Sequence, residues 1–161
     1  MTADEMGRDV AAIVLAAGES RRFGTPKQLA VHEGRTLLEH VLSRAGDAGL
    51  EPIVAVVPVW LTRPASMDAH ALRWVRNPHP ERGMSHSLAL AVDALPDSVT
   101  AAVILLGDQP TVPLATIRAV LAARGERPLI VARAAGRMYV LDNGTSRLLD
   151  SDSDGRHPRR C

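Results

Sequence analysis

The sequence contains very little cysteine and few aromatic residues. Its 161 residues include one cysteine, Cys161, which excludes an internal disulfide framework or a zinc site of several cysteines and fits a reducing compartment. Aromatic side chains make up 2% of the residues, and the 46% that are hydrophobic are mostly Ala, Val and Leu. Small aliphatic side chains of this kind are typical of helices packed on a buried parallel sheet.

The chain also lacks a strong net charge, a basic leader and a long apolar run. Its formal net charge is +1, so we expect neither a nucleic-acid partner nor a membrane surface. Acidic residues at Asp4, Glu5 and Asp9 stand where a signal peptide would carry basic ones. No apolar stretch approaches the length of a membrane span, and we therefore expect a cytoplasmic protein.

Short apolar runs alternate with helical segments along the chain. This alternation predicts βαβ units and an α/β fold, with a Rossmann-like, mostly parallel sheet flanked by helices. Predicted strands are Val10–Leu15, Pro52–Val57, Arg73–Arg76, Ala101–Leu106 and Pro128–Ala132. Predicted helices are Thr36–Ala48, which opens with a capping box of Thr36 and Glu39, then Thr62–Leu72, Met84–Leu95 and Pro113–Ala123.

The pattern fades after Arg133. We therefore predict a core over residues 1–133 and a divergent segment over 134–161. The last ten or so residues, beginning at Ser151, have no apolar periodicity, which predicts partial disorder.

The segment Ala16–Lys27 follows the first predicted strand and has the composition of a phosphate-binding loop. Gly18 and Gly24 permit close approach of the backbone to a ligand, while Arg22 and Lys27 can neutralise anionic oxygens. Lys27 is the single lysine among 19 basic residues. The loop fits neither the Walker A pattern nor the dinucleotide-binding glycine pattern. A surface turn with solvated arginines is the alternative interpretation.

Asp108 follows the predicted strand Ala101–Leu106. A carboxylate at the end of a buried strand is suited to hold Mg2+ together with substrate phosphate oxygens, and ligands of parallel sheets bind at this edge. The alternative is an aspartate that caps the next turn.

A third candidate element is the segment Gly83–Ser87 at a predicted helix start. Ser85 is placed to cap the helix, whereas Ser87 lies farther in and is a candidate to face a ligand sugar or base.

Three segments in order resemble the molybdenum cofactor cytidylyltransferases, within the wider group of molybdenum-cofactor-type nucleotidyltransferases. They are Leu15–Leu29 (LAAGESRRFGTPKQL), Asn77 with Gly83–Leu88 (GMSHSL), and Leu105–Pro110 (LLGDQP). The resemblance implies a fold of the nucleotide-diphospho-sugar transferase type. It also implies transfer of CMP from MgCTP to the phosphate of the molybdenum–molybdopterin cofactor, with release of pyrophosphate.

The resemblance further implies roles for individual residues. The backbone of Leu15, Ala16, Ala17 and Gly18 would contact the nucleotide, and Ala17 favours CTP because guanylyl-transferring relatives usually carry glycine there. Arg22 and Lys27 would hold the β- and γ-phosphates, and Asp108 would ligate Mg2+. Asn77, Gly83 and Ser87 would lie near the base and ribose.

The C-terminal segment departs from the family pattern. Ala135-Gly136-Arg137 begins a block that relatives continue with a Gly-His-Pro turn, but Met138-Tyr139-Val140 follows here. Asp142, Asp150, Asp152 and Asp154 are candidates for a second metal ligand, although none fits a motif. The sequence thus supports nucleotide binding more firmly than turnover.

Three hypotheses follow. The first is a cytidylyltransferase acting on a molybdopterin-type phosphate. The second is a transferase whose acceptor is a sugar or polyol phosphate. The third is a truncated, non-catalytic nucleotide-binding protein that helps to load a molybdenum hydroxylase.

Overall fold

A computed structural model describes residues 9–18, 24–67, 71–123, 129–133 and 137–142 of the chain. The described residues form eight strands and three α-helices. In chain order these are β1 (Val10–Leu15), β2 (Val31–His32), β3 (Arg35–Thr36), α1 (Leu37–Asp47), β4 (Ile53–Pro58), β5 (Leu72–Asn77), α2 (Met84–Asp93), β6 (Ala101–Leu106), α3 (Leu114–Ala122), β7 (Leu129–Arg133) and β8 (Arg137–Asp142).

Six strands form the main sheet in the order β5-β4-β1-β6-β8-β7. The four strands β5, β4, β1 and β6 are parallel, whereas β8 is antiparallel to both of its neighbours. The predicted α/β fold with a mostly parallel sheet is therefore confirmed. Strand order reverses at β1, because β4 and β5 lie on one side of it and β6 on the other. A crevice at such a reversal is the usual ligand site of an open parallel sheet.

Alternate residues of β1 pack on opposite faces of the sheet, and both faces are covered. Val10, Ala12 and Val14 belong to the core cluster that includes buried residues of α1 and α3. Ala11 and Ile13 belong to the second cluster, which includes Ala91 of α2. Two-sided burial explains why the strand is a continuous apolar run without polar alternation.

The predicted capping box at the start of α1 is present. The Thr36 hydroxyl accepts a hydrogen bond from the backbone N–H of Glu39 at 3.2 Å. The Glu39 carboxylate accepts one from the backbone N–H of Thr36 at 2.8 Å. The two bonds satisfy donors that a helix start otherwise leaves without partners, which fixes where α1 begins.

The helix predicted over Thr62–Leu72 is wrong for the part of it that the structure describes. Only a short 3-10 turn, Ala65–Met67, forms there, and Leu72 already begins β5. The Arg63 guanidinium donates to the carbonyl oxygens of Met67 at 2.9 Å and Leu72 at 3.1 Å. The Arg63 side chain thus supplies hydrogen-bond donors to carbonyl groups that would otherwise need the backbone N–H groups of a helix.

The structure also contains strands that the sequence did not predict, namely β2 and β3, which pair with each other, and β8 in the main sheet. β8 lies between β6 and β7, so residues 137–142 of the segment expected to diverge belong to the main sheet. The predicted disordered tail lies outside the described residues, and the division of the chain near residue 133 stays a prediction. Within the described ranges, no helix has the length and apolar character needed to cross a bilayer.

Candidate functional site

The end of β1 and the end of β6 lie side by side at the carboxyl edge of the sheet. Leu15 is paired with Leu106 in the parallel register, and the Gly107 N–H continues the ladder by donating to the Leu15 carbonyl at 2.9 Å. Asp108 therefore follows β6 directly beside the point where the chain leaves β1. The two segments that the sequence marked as phosphate loop and metal ligand are neighbours in the fold.

The contact between these two strand ends is too close for a side chain at position 107. A Cβ atom added to Gly107 would lie 2.7 Å from the Cβ of Ala16 and 3.3 Å from a methyl group of Leu38. Glycine at 107 thus allows the turn that carries Asp108 to pass against the start of the loop. This role of Gly107 was not predicted, although a glycine directly before the candidate metal ligand Asp108 is a signal for a close backbone contact.

A buried glutamine connects the far end of the loop to its beginning. The Gln28 side chain is 4% exposed, and its Nε2 donates to the carbonyl oxygen of Ala16 at 2.9 Å. Gln28 lies in the 3-10 helix Lys27–Leu29, next to the exposed side chain of Lys27. This bond fixes the position of Lys27 relative to the end of β1. The sequence predicted no role for Gln28, which stands as a polar residue directly after Pro26-Lys27.

The first residues of the loop already have backbone partners inside the protein. The Ala16 N–H donates to Val56 at 2.8 Å, and the Leu15 carbonyl accepts from Gly107. The methyl group of Ala17 is buried in the core cluster on the α2 side of the sheet. Gly18 is exposed, and a Cβ built there would meet nothing within 4 Å. Arg22 lies outside the described residues.

Asn77 and Ser87 are brought together and bind each other. The side chain of Asn77, at the end of β5, is 0% exposed and donates from Nδ2 to the Ser87 hydroxyl at 2.9 Å. Its Oδ1 accepts from the backbone N–H of His79 at 2.8 Å. Ser87 lies in α2, and Gly83 precedes that helix with a φ of +89°. The pair therefore connects the end of β5 to the helix that follows it.

A cavity of about 580 Å³ opens between the loop after β1 and the ends of β4 and β5. Its walls combine loop residues with residues that follow the two strands. It is lined by Gly18, Gly24, Thr25, Pro26, Pro58, Val59, Trp60, Asn77, Pro78, Pro80 and Glu81. Volumes of this size are usual for small-molecule sites, which are mostly apolar with a few polar groups.

Glu81 places a negative charge at this cavity. A hydrogen bond from its own backbone N–H is the main reason that the pKa of Glu81 is lowered, and His79 also lowers it. The His79 ring nitrogen Nδ1 lies 3.1 Å from the carboxylate. The group is exposed, and it is ionised at neutral pH.

Asp108 is the described residue that could hold a divalent cation jointly with a bound ligand. Asp108 is exposed at the end of β6. Among the described residues, no group of three or more His, Cys, Asp or Glu side chains could enclose a metal ion by itself. A single carboxylate is sufficient for Mg2+ when phosphate oxygens and water complete its coordination.

Comparisons with known proteins identify relatives and chains of similar fold. The structure resembles the crystal structure of Rv0371c from Mycobacterium tuberculosis H37Rv, with a TM-score of 0.74 and 28% identity over 94% of this chain and 86% of that one. The manganese complex of Rv0371c gives a TM-score of 0.68 at 25% identity, with the same coverage.

A curated relative is the bifunctional enzyme IspD/IspF of Novosphingobium aromaticivorans, 30% identical over 124 residues, which are 75% of this chain. The chain spans only about a third of that relative, since the match covers 32% of its length. The family model described as MobA-like NTP transferase domain matches residues 12–154. Because this match extends over most of the sequence, the chain belongs to the MobA-like NTP transferase domain family.

Proposed function

We propose that this protein is a nucleotidyltransferase that moves CMP from MgCTP to the phosphate of a molybdopterin-type acceptor and releases pyrophosphate. The observation that carries the proposal is the adjacency of the loop after β1 and Asp108 after β6, at the reversal of strand order. A basic loop and a carboxylate next to each other at one edge of the sheet suit a metal-bound triphosphate.

The two ends of the loop divide the nucleotide contacts between them. Since the Ala16 N–H already has a partner in Val56, the backbone contacts to the nucleotide fall mainly to Ala17 and Gly18. Lys27 supplies positive charge from the other end of the loop, and Arg22 would add to it. Asn77 lines the cavity on the side proposed for the base and ribose, and its bond to Ser87, in the helix that Gly83 precedes, keeps it in place.

CTP is the proposed nucleotide because Ala17 stands where guanylyl-transferring relatives usually carry glycine. The Ala17 methyl group is buried, so it would act on the choice of nucleotide through the position of the backbone at the start of the loop and not by direct contact. One methyl group supplies modest discrimination, so we expect a preference for CTP over GTP of about ten-fold to a hundred-fold.

The chemistry proposed here depends on positioning and charge. The attacking group is a phosphate monoester, which is mostly ionised near neutral pH because its second pKa is about 6. A general base is therefore not required. Lys27 and Arg22 hold the phosphates and stabilise the leaving pyrophosphate, while the loop backbone aligns the α-phosphate with the acceptor. Mg2+, when bound at Asp108, would neutralise charge on the phosphate oxygens.

The test is pyrophosphate release from CTP, GTP and ATP, each with Mg2+ and with the molybdenum-loaded pterin as acceptor. We expect release with CTP and losses on the order of a hundred-fold or more in Lys27→Ala and Asp108→Ala. Asp97→Ala, which removes an exposed carboxylate before β6, is the matched control and should behave as wild type. Release that is equal in wild type and Lys27→Ala would overturn the proposal.

The second candidate keeps the same transfer chemistry but takes a sugar or polyol phosphate as its acceptor. The same assay separates the two candidates when these phosphates replace the pterin. Binding of CTP by calorimetry without release from any acceptor, together with capture of a molybdenum hydroxylase, would instead support the non-catalytic loading factor.

A further inference from the structure

Two large apolar side chains are exposed at the turn that follows β4. Val59 is 51% exposed and Trp60 is 55% exposed, in a chain whose aromatic content is 2%. Both side chains line the cavity across from the loop. An exposed tryptophan has a large unfavourable contact with water, and at a cavity it offers a flat apolar surface to a ligand.

The position of this turn is fixed by the rest of the protein. The Leu61 N–H donates to the carbonyl of Pro58 at 3.1 Å, which closes the turn with Val59 and Trp60 at its tip. The carbonyl of Leu61 accepts a hydrogen bond from Nε1 of Trp74 at 3.1 Å. Trp74 lies in β5 and packs partly buried against the core. Trp60 is thus held beside the cavity before any ligand binds.

Charge determines which part of a nucleotide this side of the cavity can accept. The ionised Glu81 carboxylate lies at the cavity, and the described lysine, Lys27, lies at the end of the loop on its other side. The carboxylate of Glu81, although Arg82 and His79 partly offset its charge, disfavours a triphosphate at this side, and Lys27 favours one at the other. The uncharged end of the nucleotide, the base, is therefore directed toward Trp60.

We propose that the indole ring of Trp60 stacks on the nucleobase of the bound nucleotide. This inference rests on the proposed function, since it requires an NTP at the loop after β1. Stacking accepts any base, because every base has a π-face, so Trp60 contributes affinity and leaves the choice of base to polar groups. Since the proposed contact is made to the base and not to the reacting phosphates, removal of Trp60 should raise KM and leave kcat close to wild type.

The experiment compares Mg-CTP and Mg-tripolyphosphate binding by calorimetry in wild type, Trp60→Ala and Trp60→Phe. We expect Trp60→Ala to weaken CTP binding by about ten-fold and Trp60→Phe, which keeps an aromatic plane, by less than about three-fold. Tripolyphosphate has no base, so its affinity should be the same in all three proteins. Val31→Ala, which shortens another exposed apolar residue at 70% exposure, is the matched control.

Fluorescence supplies a second measurement. Trp60→Phe leaves Trp74 as the one tryptophan of the chain, because the sequence has two. CTP should quench the emission of wild type and leave that of Trp60→Phe unchanged, although both bind. Equal CTP affinity in wild type and Trp60→Ala, or equal losses for CTP and tripolyphosphate, would overturn the role of Trp60 and leave the proposed function intact. If wild type binds neither compound, both proposals fail.

Discussion

Gln28 donates a hydrogen bond from its side-chain amide to the backbone carbonyl of Ala16, across twelve residues of sequence. The bond is buried and joins the two ends of the segment proposed to hold the triphosphate. Its geometry makes Gln28 a positioning residue, since its amide is turned inward to the backbone while the neighbouring Lys27 is exposed.

Replacing Gln28 with Met should destabilise the protein and weaken nucleotide binding together. The methionine fills similar space but leaves the Ala16 carbonyl without its donor, which costs about 1–3 kcal/mol of unfolding free energy. Lys27→Ala is the contrasting variant. Because the Lys27 side chain is exposed, its removal should lower CTP affinity with little change in stability. Urea denaturation and CTP calorimetry on both proteins check the prediction. A Gln28→Met protein with wild-type stability would contradict it.

Replacing Gly107 with Ala should separate the ends of β1 and β6. The new methyl group would lie 2.7 Å from the Cβ of Ala16, so one strand end has to move. We expect a loss of about 1–3 kcal/mol of stability, as for other overpacked interiors.

Gly18→Ala is the matched control for this variant, because a Cβ at Gly18 meets nothing within 4 Å. It should retain the wild-type Tm even if it reduces nucleotide affinity. Thermal unfolding followed by circular dichroism distinguishes the two alanines, and equal Tm values for both variants would disprove the packing argument.

The Asn77–Ser87 hydrogen bond should appear as coupling in a double-mutant cycle. Asn77→Ala removes a buried side chain that bonds both Ser87 and the backbone of His79, so it should cost about 1–3 kcal/mol or more. Ser87→Ala removes only the acceptor of one bond and should cost less. Because the residues share that bond, the combined loss should be smaller than the sum by about 0.5–1.5 kcal/mol. Additive losses from urea denaturation would mean that the bond contributes nothing.

The capping box gives the protein a pH-dependent contribution to stability. The hydrogen bond from the Thr36 backbone N–H is the main reason that the pKa of Glu39 is lowered, with smaller contributions from the hydroxyl groups of Thr36 and Ser66. A carboxyl whose pKa is lower in the folded state favours folding when it is ionised. The contribution is present at neutral pH and is lost as the pH falls through the acidic range below the usual glutamate pKa.

Glu39→Gln tests this contribution, because it keeps an acceptor at the same position without an ionisable group. The difference in stability between wild type and Glu39→Gln should shrink as the pH falls from 7 toward 3. Glu51→Gln, at an exposed position, is the control. A difference that does not depend on pH would show that ionisation of Glu39 is unimportant.

The sequence predicted the parallel part of the fold well, because buried strands and helix caps have local signals. The run Ala101–Leu106 is apolar at every position and forms β6 with the predicted bounds. The Thr36–Glu39 box marks the start of α1 to the residue. Both signals depend on residues that are close in sequence, so they can be recognised without knowledge of the tertiary structure.

The wrong and missed elements depend on specific contacts that local composition does not reveal. The segment after Pro64 has helical composition, but the guanidinium of Arg63 bonds its carbonyl groups and removes the need for a helix. β8 follows the small residues Ala134-Ala135-Gly136 in the sequence, and it becomes a strand because β6 and β7 pair with it on both edges. No pattern within residues 137–142 predicts pairing with β6 and β7.

The candidate site was predicted by residue type, while its organisation was not. The sequence placed Lys27 in the loop that follows the first strand and Asp108 directly after the strand Ala101–Leu106, and the fold brings these segments to one edge of the sheet. The supporting residues Gln28 and Gly107 act through a buried hydrogen bond and a close contact with Ala16. Such roles are visible only when the partner is known. Arg22 lies outside the described residues, and its role stays a prediction.

The insertion of β8 between β6 and β7 has a consequence for synthesis of the protein. As the chain is made, β6 is complete about thirty residues before β8, and until then one edge of an entirely apolar strand has backbone groups without partners. Such an edge is a template for association with other chains. Expression of a fragment ending at residue 133 would therefore be limited by aggregation, even though the phosphate loop and Asp108 would both be present.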